Sequence, residues 1–258
     1  MKMTIGLCQI EAAIGDVERN MDRTIECLDS YDADVYVFPE LFLTGYGADY
    51  SQLKEKVESS SRVLSDTCRD RDCAIVMGAP RYQEELVYNS ILFYSPDGDA
   101  YYDKIHLARF GIYSEHMFEA GNRPCIAHHH GIGIGFCICY DIFFPETLHA
   151  ASMNGASLNV CLAASAEQSK PFLDTVLPTR ALENVSYMAY VNNIGIVNGL
   201  KMHGCSRGLD PFGRTLVDCH TDECVMTFTV DTEDLAEKRM VRRHLEDFRA
   251  DIRWYEEE

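Results

Sequence analysis

The sequence predicts a layered α/β domain. Near-continuous apolar runs, such as Asp34-Val-Tyr-Val-Phe38 and Ile132 to Ile138, read as strands buried on both faces. Amphipathic helical stretches alternate with them, and turn-rich segments close hairpins between others. The 258 residues are 47% hydrophobic and 25% charged, enough apolar side chain for a sizeable core. No repeat, low-complexity tract or linker interrupts them, so one domain is expected over residues 1–258.

In chain order, Met3 to Ile10 is a short apolar strand. Asp16 can cap a helix from about Val17, whose Met21, Ile25 and Leu28 share one face. The strand at Asp34 to Phe38 ends in Pro39-Glu40 and gives way to a loop, Leu41 to Tyr50, rich in glycine and aromatics. A helix follows over about Gln52 to Arg69, then an apolar strand from Cys73 to Ala79. Tyr88 to Tyr94 and Ala100 to Leu107 flank Ser95-Pro-Asp-Gly-Asp99, a strong turn signal, and form a hairpin. His106 to Asn122 is mostly loop.

Ile132 to Ile138 is a buried strand ending at Cys139, and Pro145-Glu146 suit the first turn of a helix to Asn154. A strand (Ser157 to Ala163), a helix (Lys170 to Val185) and a strand (Tyr187 to Ile194) come next. The last third reads as antiparallel: Cys205 to Leu209, the turn Asp210-Pro-Phe-Gly213, Thr215 to Cys219, and Val225 to Val230. The tail, residues 231–258, is charged with apolar punctuation at Leu235, Met240, Leu245, Phe248 and Ile252. It reads as a helix or two lying on the body or on a partner subunit.

Formal net charge is −18, which argues against nucleic acid or an anionic membrane surface as partner, since both repel such a surface. No apolar run approaches the roughly 20 residues that span a bilayer. The N-terminus enters a strand without signal-peptide anatomy. Eleven cysteines, an odd number without a CxxC pair, suit a reducing cytosol. Cys137-Ile-Cys139 and His128-His129-His130 match no complete metal-ligand set, so no metal is expected.

Three residues stand out as chemistry. Cys139 ends a buried strand just ahead of a helix N-terminus, where a thiolate can be exposed and stabilised. On that stretch alone it fits a packed core thiol at least as well. Glu40 repeats the geometry at another strand end, and Lys104 sits inside the strand Tyr101 to Leu107. Each fits a solvated charge when read alone. Strand ends are where side chains from separate strands converge. Together the three make chemical sense: a carboxylate deprotonates the thiol, the thiolate attacks a carbonyl carbon, and an ammonium holds the oxyanion.

Phe38-Pro-Glu40-Leu-Phe-Leu-Thr-Gly-Tyr46, Tyr102-Asp-Lys104-Ile-His-Leu107 and Cys139-Tyr-Asp-Ile-Phe-Phe-Pro-Glu146 resemble the three signature blocks of the nitrilase superfamily of carbon–nitrogen hydrolases. Gln9 to Asn20, Arg180 to Asn184 and Ser206 to Gly213 resemble further blocks in the family's order, so the resemblance spans nearly the whole chain. It implies a four-layer αββα sandwich, commonly paired into an eight-layer dimer whose C-terminal segment often crosses to the partner. It also implies Glu40 as general base, Lys104 as oxyanion-stabilising cation and Cys139 as nucleophile. The run from Lys104 to Glu115 is similar to the form in the glutaminase domain of NAD synthetase and related amidases, which makes Glu115 a support for Lys104 and bound substrate.

The implied reaction is amide hydrolysis through a thioester on Cys139, with the backbone N–H of Tyr140 as second oxyanion donor and no cofactor. Tyr140-Asp141 resembles amidase branches, whereas Cys-Trp-Glu goes with nitriles. N-carbamoyl hydrolysis and nitrile hydrolysis remain alternatives with the same triad. Phe143 stands where many small-acid amidases of the family carry arginine, which disfavours a dicarboxylate monoamide. Tyr46, Phe110, Tyr113, Phe143 and Phe144 are candidates to line the pocket, with Ser165 on the loop from Ala163 to Phe172. The expected setting is a cytoplasmic homo-oligomer acting on a small-molecule amide.

Two readings from other directions compete. Gly204-Cys-Ser206-Arg-Gly208 matches the G-x-S-x-G nucleophile elbow, with Asp218 and His220 downstream, but a turn and a strand follow it where a helix is required. A catalytically silent scaffold would keep the fold alone, yet it has little reason to retain a costly buried lysine.

Overall fold

The computed structural model describes residues 1–110 and 115–251. Tyr113, one of the expected pocket aromatics, and the end of the tail from Ile252 lie outside the described residues.

Strand β1 (Lys2–Gln9) leads to helix α1 (Val17–Ser30), whose first turn is capped by the Asp16 carboxylate accepting from Arg19 N–H. Then come β2 (Val35–Val37), α2 (Lys54–Arg71), β3 (Ala74–Gln83), β4 (Leu86–Tyr94) and β5 (Ala100–Asp103). The 3₁₀ turn Glu115–Met117 precedes β6 (Ile126–His129) and β7 (Ile132–Ile138). The 3₁₀ turn Cys139–Phe143 leads into α3 (Pro145–Met153), followed by β8 (Ala156–Ala163), α4 (Lys170–Asn184) and β9 (Tyr187–Asn192). A small hairpin, β10 (Ile196–Val197) and β11 (Leu200–Lys201), precedes β12 (Arg207–Leu209), β13 (Thr215–Asp218), β14 (Cys224–Asp231) and α5 (Thr232–Val241).

The strands make two six-stranded sheets, ordered β14-β1-β2-β3-β4-β5 and β13-β12-β9-β8-β7-β6. Alternation along each strand divides its side chains between two cores. Ile5, Leu7, Val35, Val37 and Val76 meet Ile134, Phe136, Leu158, Val160 and Val191 between the sheets. On the outer face of the first sheet, Tyr36, Ile75 and Met77 pack against Leu28, Val57 and Leu64 of α1 and α2. On the outer face of the second, Cys137, Cys161 and Met188 pack against Leu148, Leu173 and Leu177 of α3 and α4. The order of layers is therefore helices, sheet, sheet, helices, as the sequence led us to expect.

Besides the small hairpin β10–β11, which lies in a stretch the sequence left unassigned, three elements differ from the sequence reading. The strand expected from Ala100 to Leu107 stops at Asp103, because the His106 N–H goes to the buried Asp141 carboxylate (2.7 Å) and leaves the ladder. Strand β6 lies in a stretch the sequence left unassigned. Finally, β12 and β13 are an antiparallel pair as read, but β14 crosses to the other sheet and pairs with β1 from Lys2↔Asp231 to Gln9↔Cys224. Helix α5 then packs on its own chain, with Leu235 in the core between the sheets and Arg239 donating to the carbonyls of Val185 and Ala156 (3.0 and 2.7 Å).

Candidate active site

Glu40 lies in the turn that follows β2, Lys104 is the first residue after β5, and Cys139 is the first after β7. The two sheets thus deliver the three side chains to one end of the sandwich. Glu40 and Lys104 are each 1% exposed, and so is Glu115. Burying three charges together is tolerable only when they are paired and hydrogen-bonded, and these are. Lys104 Nζ donates to Glu40 Oε1 (2.8 Å) and to Glu115 Oε1 (2.7 Å).

Asn89 on β4 donates to the same two oxygens, at 2.7 and 3.2 Å. Glu115 also accepts from Tyr46 Oη (3.1 Å) and, through Oε2, from the Ala108 N–H (2.6 Å). Glu115 is thereby fully engaged. Glu40 is different: its Oε2 is buried without a hydrogen-bond partner among the described residues. A buried carboxylate oxygen left open is an acceptor waiting for a proton.

The electrostatics favour a neutral thiol at rest. Burial pushes Cys139 well up from its ordinary value, and the Glu40 charge adds to this more than Lys104 relieves it. Burial also raises Glu40, with Glu115 adding repulsion and Lys104 opposing. Burial pulls the Lys104 ammonium down, but Glu40 and Glu115 outweigh it and hold it well above the usual range. Lys104 therefore stays charged, and the thiol needs a base at the moment it reacts.

Cys139 itself adopts φ 47°, a left-handed conformation that costs a non-glycine residue about 1–2 kcal/mol. The 3₁₀ turn it starts leaves the Tyr140 N–H among the unpaired donors of a helix beginning. Ser165 Oγ lies 3.5 Å from Cys139 Sγ. The second sheet also holds Glu40 from behind: Asn193 Nδ2 donates to the Glu40 carbonyl (2.9 Å) and to the Ala163 carbonyl (3.0 Å).

The structure sorts the expected pocket residues by surroundings. Tyr46 is buried, and burial together with the Glu40 and Glu115 charges pushes its phenol up, so it remains a donor to Glu115. Phe110 and Phe143 are half exposed or nearly so, and both pack their rings on Tyr140 (5.0 and 6.0 Å between centroids). Phe144 stacks on His106 (3.7 Å).

The model of the family described as Carbon-nitrogen hydrolase matches residues 4–240. The chain belongs to the carbon–nitrogen hydrolase family. This hydrolase is 32% identical over 255 residues to an (R)-stereoselective amidase of Pseudomonas sp, covering 96% of this chain and 92% of that protein. Its fold superposes with a TM-score of 0.86 on a CN-hydrolase superfamily protein from Xanthomonas campestris that carries an arsenic adduct in its active site, at 25% identity and covering 98% and 100% of the two chains. A mutant of the amidase from Nesterenkonia sp. AN1 shows covalent addition of the acetamide moiety of fluoroacetamide at its active site cysteine; it is 28% identical with a TM-score of 0.79, over 94% of this chain and 95% of that one. The resemblance drawn from six sequence blocks is thus established over the chain, and the hydrolase acts on carbon–nitrogen bonds other than peptide bonds.

The serine-elbow alternative fails on geometry. Ser206 is fully buried, its Oγ accepts from the Asn192 N–H (2.9 Å), and β12 follows it. Among the described residues, no group of three or more His, Cys, Asp and Glu is arranged to hold a metal ion, and no helix is long and apolar enough to cross a membrane. The sequence reading missed Asn89 and Asn193. Asn89 leaves one trace: an amide inside the apolar strand Leu86–Tyr94, where a buried polar group needs a partner.

Proposed function

We propose that this hydrolase is a small-molecule amidase that forms a thioester on Cys139 and releases ammonia and a carboxylic acid. The observation that carries the reading is the open Glu40 Oε2 in a cluster where every other carboxylate oxygen of Glu40 and Glu115 is engaged. Glu40 Oε2 takes the thiol proton as Sγ bonds to the amide carbon. The Lys104 ammonium and the Tyr140 N–H stabilise the oxyanion, and removal of one such donor typically costs about 10²–10³ in rate. The proton held by Glu40 passes to the nitrogen as the C–N bond breaks and ammonia leaves. Glu40 then takes a proton from the water that attacks the thioester, and returns it to sulfur as the acid departs.

Glu115 supports by holding Lys104 against Glu40, with Tyr46 and Asn89 locking its carboxylate. Ser165, 3.5 Å from the thiol, is placed to meet the acyl group, and Phe110, Phe143 and Phe144 form the aromatic side of the entrance around Tyr140. The same reading takes residues 1–258 as a single hydrolase domain in the cytoplasm, consistent with eleven free cysteines. It also takes the protein as a homo-oligomer, which the exposed Phe172, Met240 and Val241 would favour.

The test is an ammonia-release screen over amides, N-carbamoyl compounds and nitriles, with Cys139→Ala as the blank. Turnover of amides by the wild type and none by the blank supports the assignment. Full turnover by Cys139→Ala sinks it.

A further inference from the structure

Asp141 lies two residues beyond the nucleophile, fully buried, and accepts four hydrogen bonds. One comes from the nucleophile's own strand, Ile138 N–H to Oδ2 at 3.0 Å. The other three come from the two residues that flank Lys104 at a spacing of two: Tyr102 Oη to Oδ2 (2.8 Å), and the N–H and Nδ1 of His106 to Oδ1 (2.7 and 2.9 Å). A buried carboxylate must find donors somewhere. What distinguishes this one is that its donors are shared between the segment carrying Cys139 and the segment carrying Lys104.

His106 extends the link. Its ring stacks on Phe144 with an interplanar angle of 4°, and Phe144 meets Tyr140 edge-on at 5.1 Å. Its Nε2 lies 3.7 Å from the Glu146 carboxylate in the first turn of α3. The bond to Asp141, with the Asp141 and Glu146 charges, outweighs partial burial and raises the imidazole above its ordinary value. On one side of this chain of contacts stands Lys104, on the other the Tyr140 amide.

We propose that Asp141 and His106 form a positioning clamp that sets the separation of the two oxyanion donors, Lys104 Nζ and Tyr140 N–H. The clamp rests on the reading of those groups as oxyanion donors and deepens it. Neither Asp141 nor His106 touches the substrate or moves a proton. A clamp of this kind acts on the transition state: a misplacement of about 1 Å in such a site costs about a hundredfold in rate. Ground-state binding is left nearly unchanged, because the donors meet full charge only in the tetrahedral intermediate.

The experiment compares full-length His106→Leu, His106→Asn and Tyr102→Phe with wild type on propionamide, or on whichever amide the ammonia screen shows to be fastest. Leucine removes the side-chain donor to Asp141. Asparagine places an amide nitrogen where Nδ1 stands, without ring or charge. Phenylalanine removes the Tyr102 donor and keeps the shape, so it provides a variant that folds if leucine does not. We expect kcat to fall at least about tenfold in His106→Leu, and by several-fold in Tyr102→Phe, with KM close to wild type. His106→Asn should recover most of the loss, and iodoacetamide should alkylate Cys139 at the wild-type rate in all three. Wild-type kcat in both His106→Leu and Tyr102→Phe would overturn the clamp, as would an asparagine variant no better than leucine. Turnover surviving in Cys139→Ala is a separate outcome that removes the nucleophile assignment itself.

Discussion

Gly78 of β3 lies directly against the backbone of Glu40. A Cβ at Gly78 would come within 2.1 Å of the Pro39 carbonyl oxygen, 2.5 Å of Leu41 N and 2.8 Å of Glu40 Cα. All three are backbone atoms, so no flexible side chain can yield. The Leu43 N–H also donates to the Gly78 carbonyl at 3.0 Å, which fixes the turn on the strand. Gly78→Ala must therefore displace Glu40. The expected result is a loss of about a hundredfold in kcat with a lowered Tm, measured by ammonia release and thermal melting. Wild-type kcat would show that the Glu40 backbone position is not critical.

The raised Glu40 carboxyl predicts where activity fails in acid. In the proposed mechanism catalysis needs Glu40 unprotonated, so the base is lost as pH falls through its value. Burial puts that value above the ordinary carboxylate, about 4.3, and the acid limb of kcat/KM should lie correspondingly high. Lys104 is held well above its ordinary value, about 10.4, and gives no alkaline limb below it. A pH–rate profile from acid to pH about 10 checks both signs, and a limb at or below the free-carboxylate value contradicts the first.

Asn89 donates to Glu40 Oε1 and thereby favours its charged form. Asn89→Leu keeps the volume and removes the donor. The acid limb should move to still higher pH, and kcat should drop at neutral pH as Lys104 is left as the only donor to the Glu40 carboxylate among the described residues. An unmoved limb with unchanged kcat would mean that Asn89 only fills space.

Glu40 and Cys139 were legible as candidates because each is a charged or nucleophilic residue where an apolar run stops, whereas Lys104 was read inside a strand and lies one residue beyond β5. The run from Ile132 to Ile138 is the observed β7, residue for residue. The hairpin at Ser95 to Asp99 and the Asp16 cap were legible for the same reason: their signals are local. The pairing of β14 with β1 was not, since it joins residues at opposite ends of the chain and leaves no local trace. Nor were the roles of Asn89, Asn193 and Gly78, because each serves the site through a contact with another strand. Tyr46 was read as a pocket wall from its aromatic loop, and its hydroxyl on Glu115 depends on a fold the loop does not encode.

Ser206→Ala tests the discarded elbow. Its hydroxyl accepts the Asn192 N–H, so truncation leaves one buried donor unsatisfied and should cost about 1–3 kcal/mol of stability. Amide turnover should remain close to wild type at a temperature below the melting transition. Loss of activity with unchanged stability would return Ser206 to the chemistry.

Lys104→Met separates the two duties proposed for the lysine. It leaves Glu40 and Glu115 as buried charges without their shared cation, and breaking such a pair typically costs about 3–5 kcal/mol. The single variant should be inactive and strongly destabilised. Adding Glu115→Gln removes one of the two uncompensated charges; its amide oxygen still accepts from the Ala108 N–H, and its NH2 can donate to the Tyr46 hydroxyl, which turns from donor to acceptor. The double variant should therefore recover much of the Tm of the wild type, because the remaining Glu40 can protonate alone. It should recover no turnover, since no ammonium faces the oxyanion. Thermal melts and ammonia release on the wild type, both singles and the double complete the cycle. Restored activity in the double variant would show that Lys104 balances charge and does not hold the oxyanion.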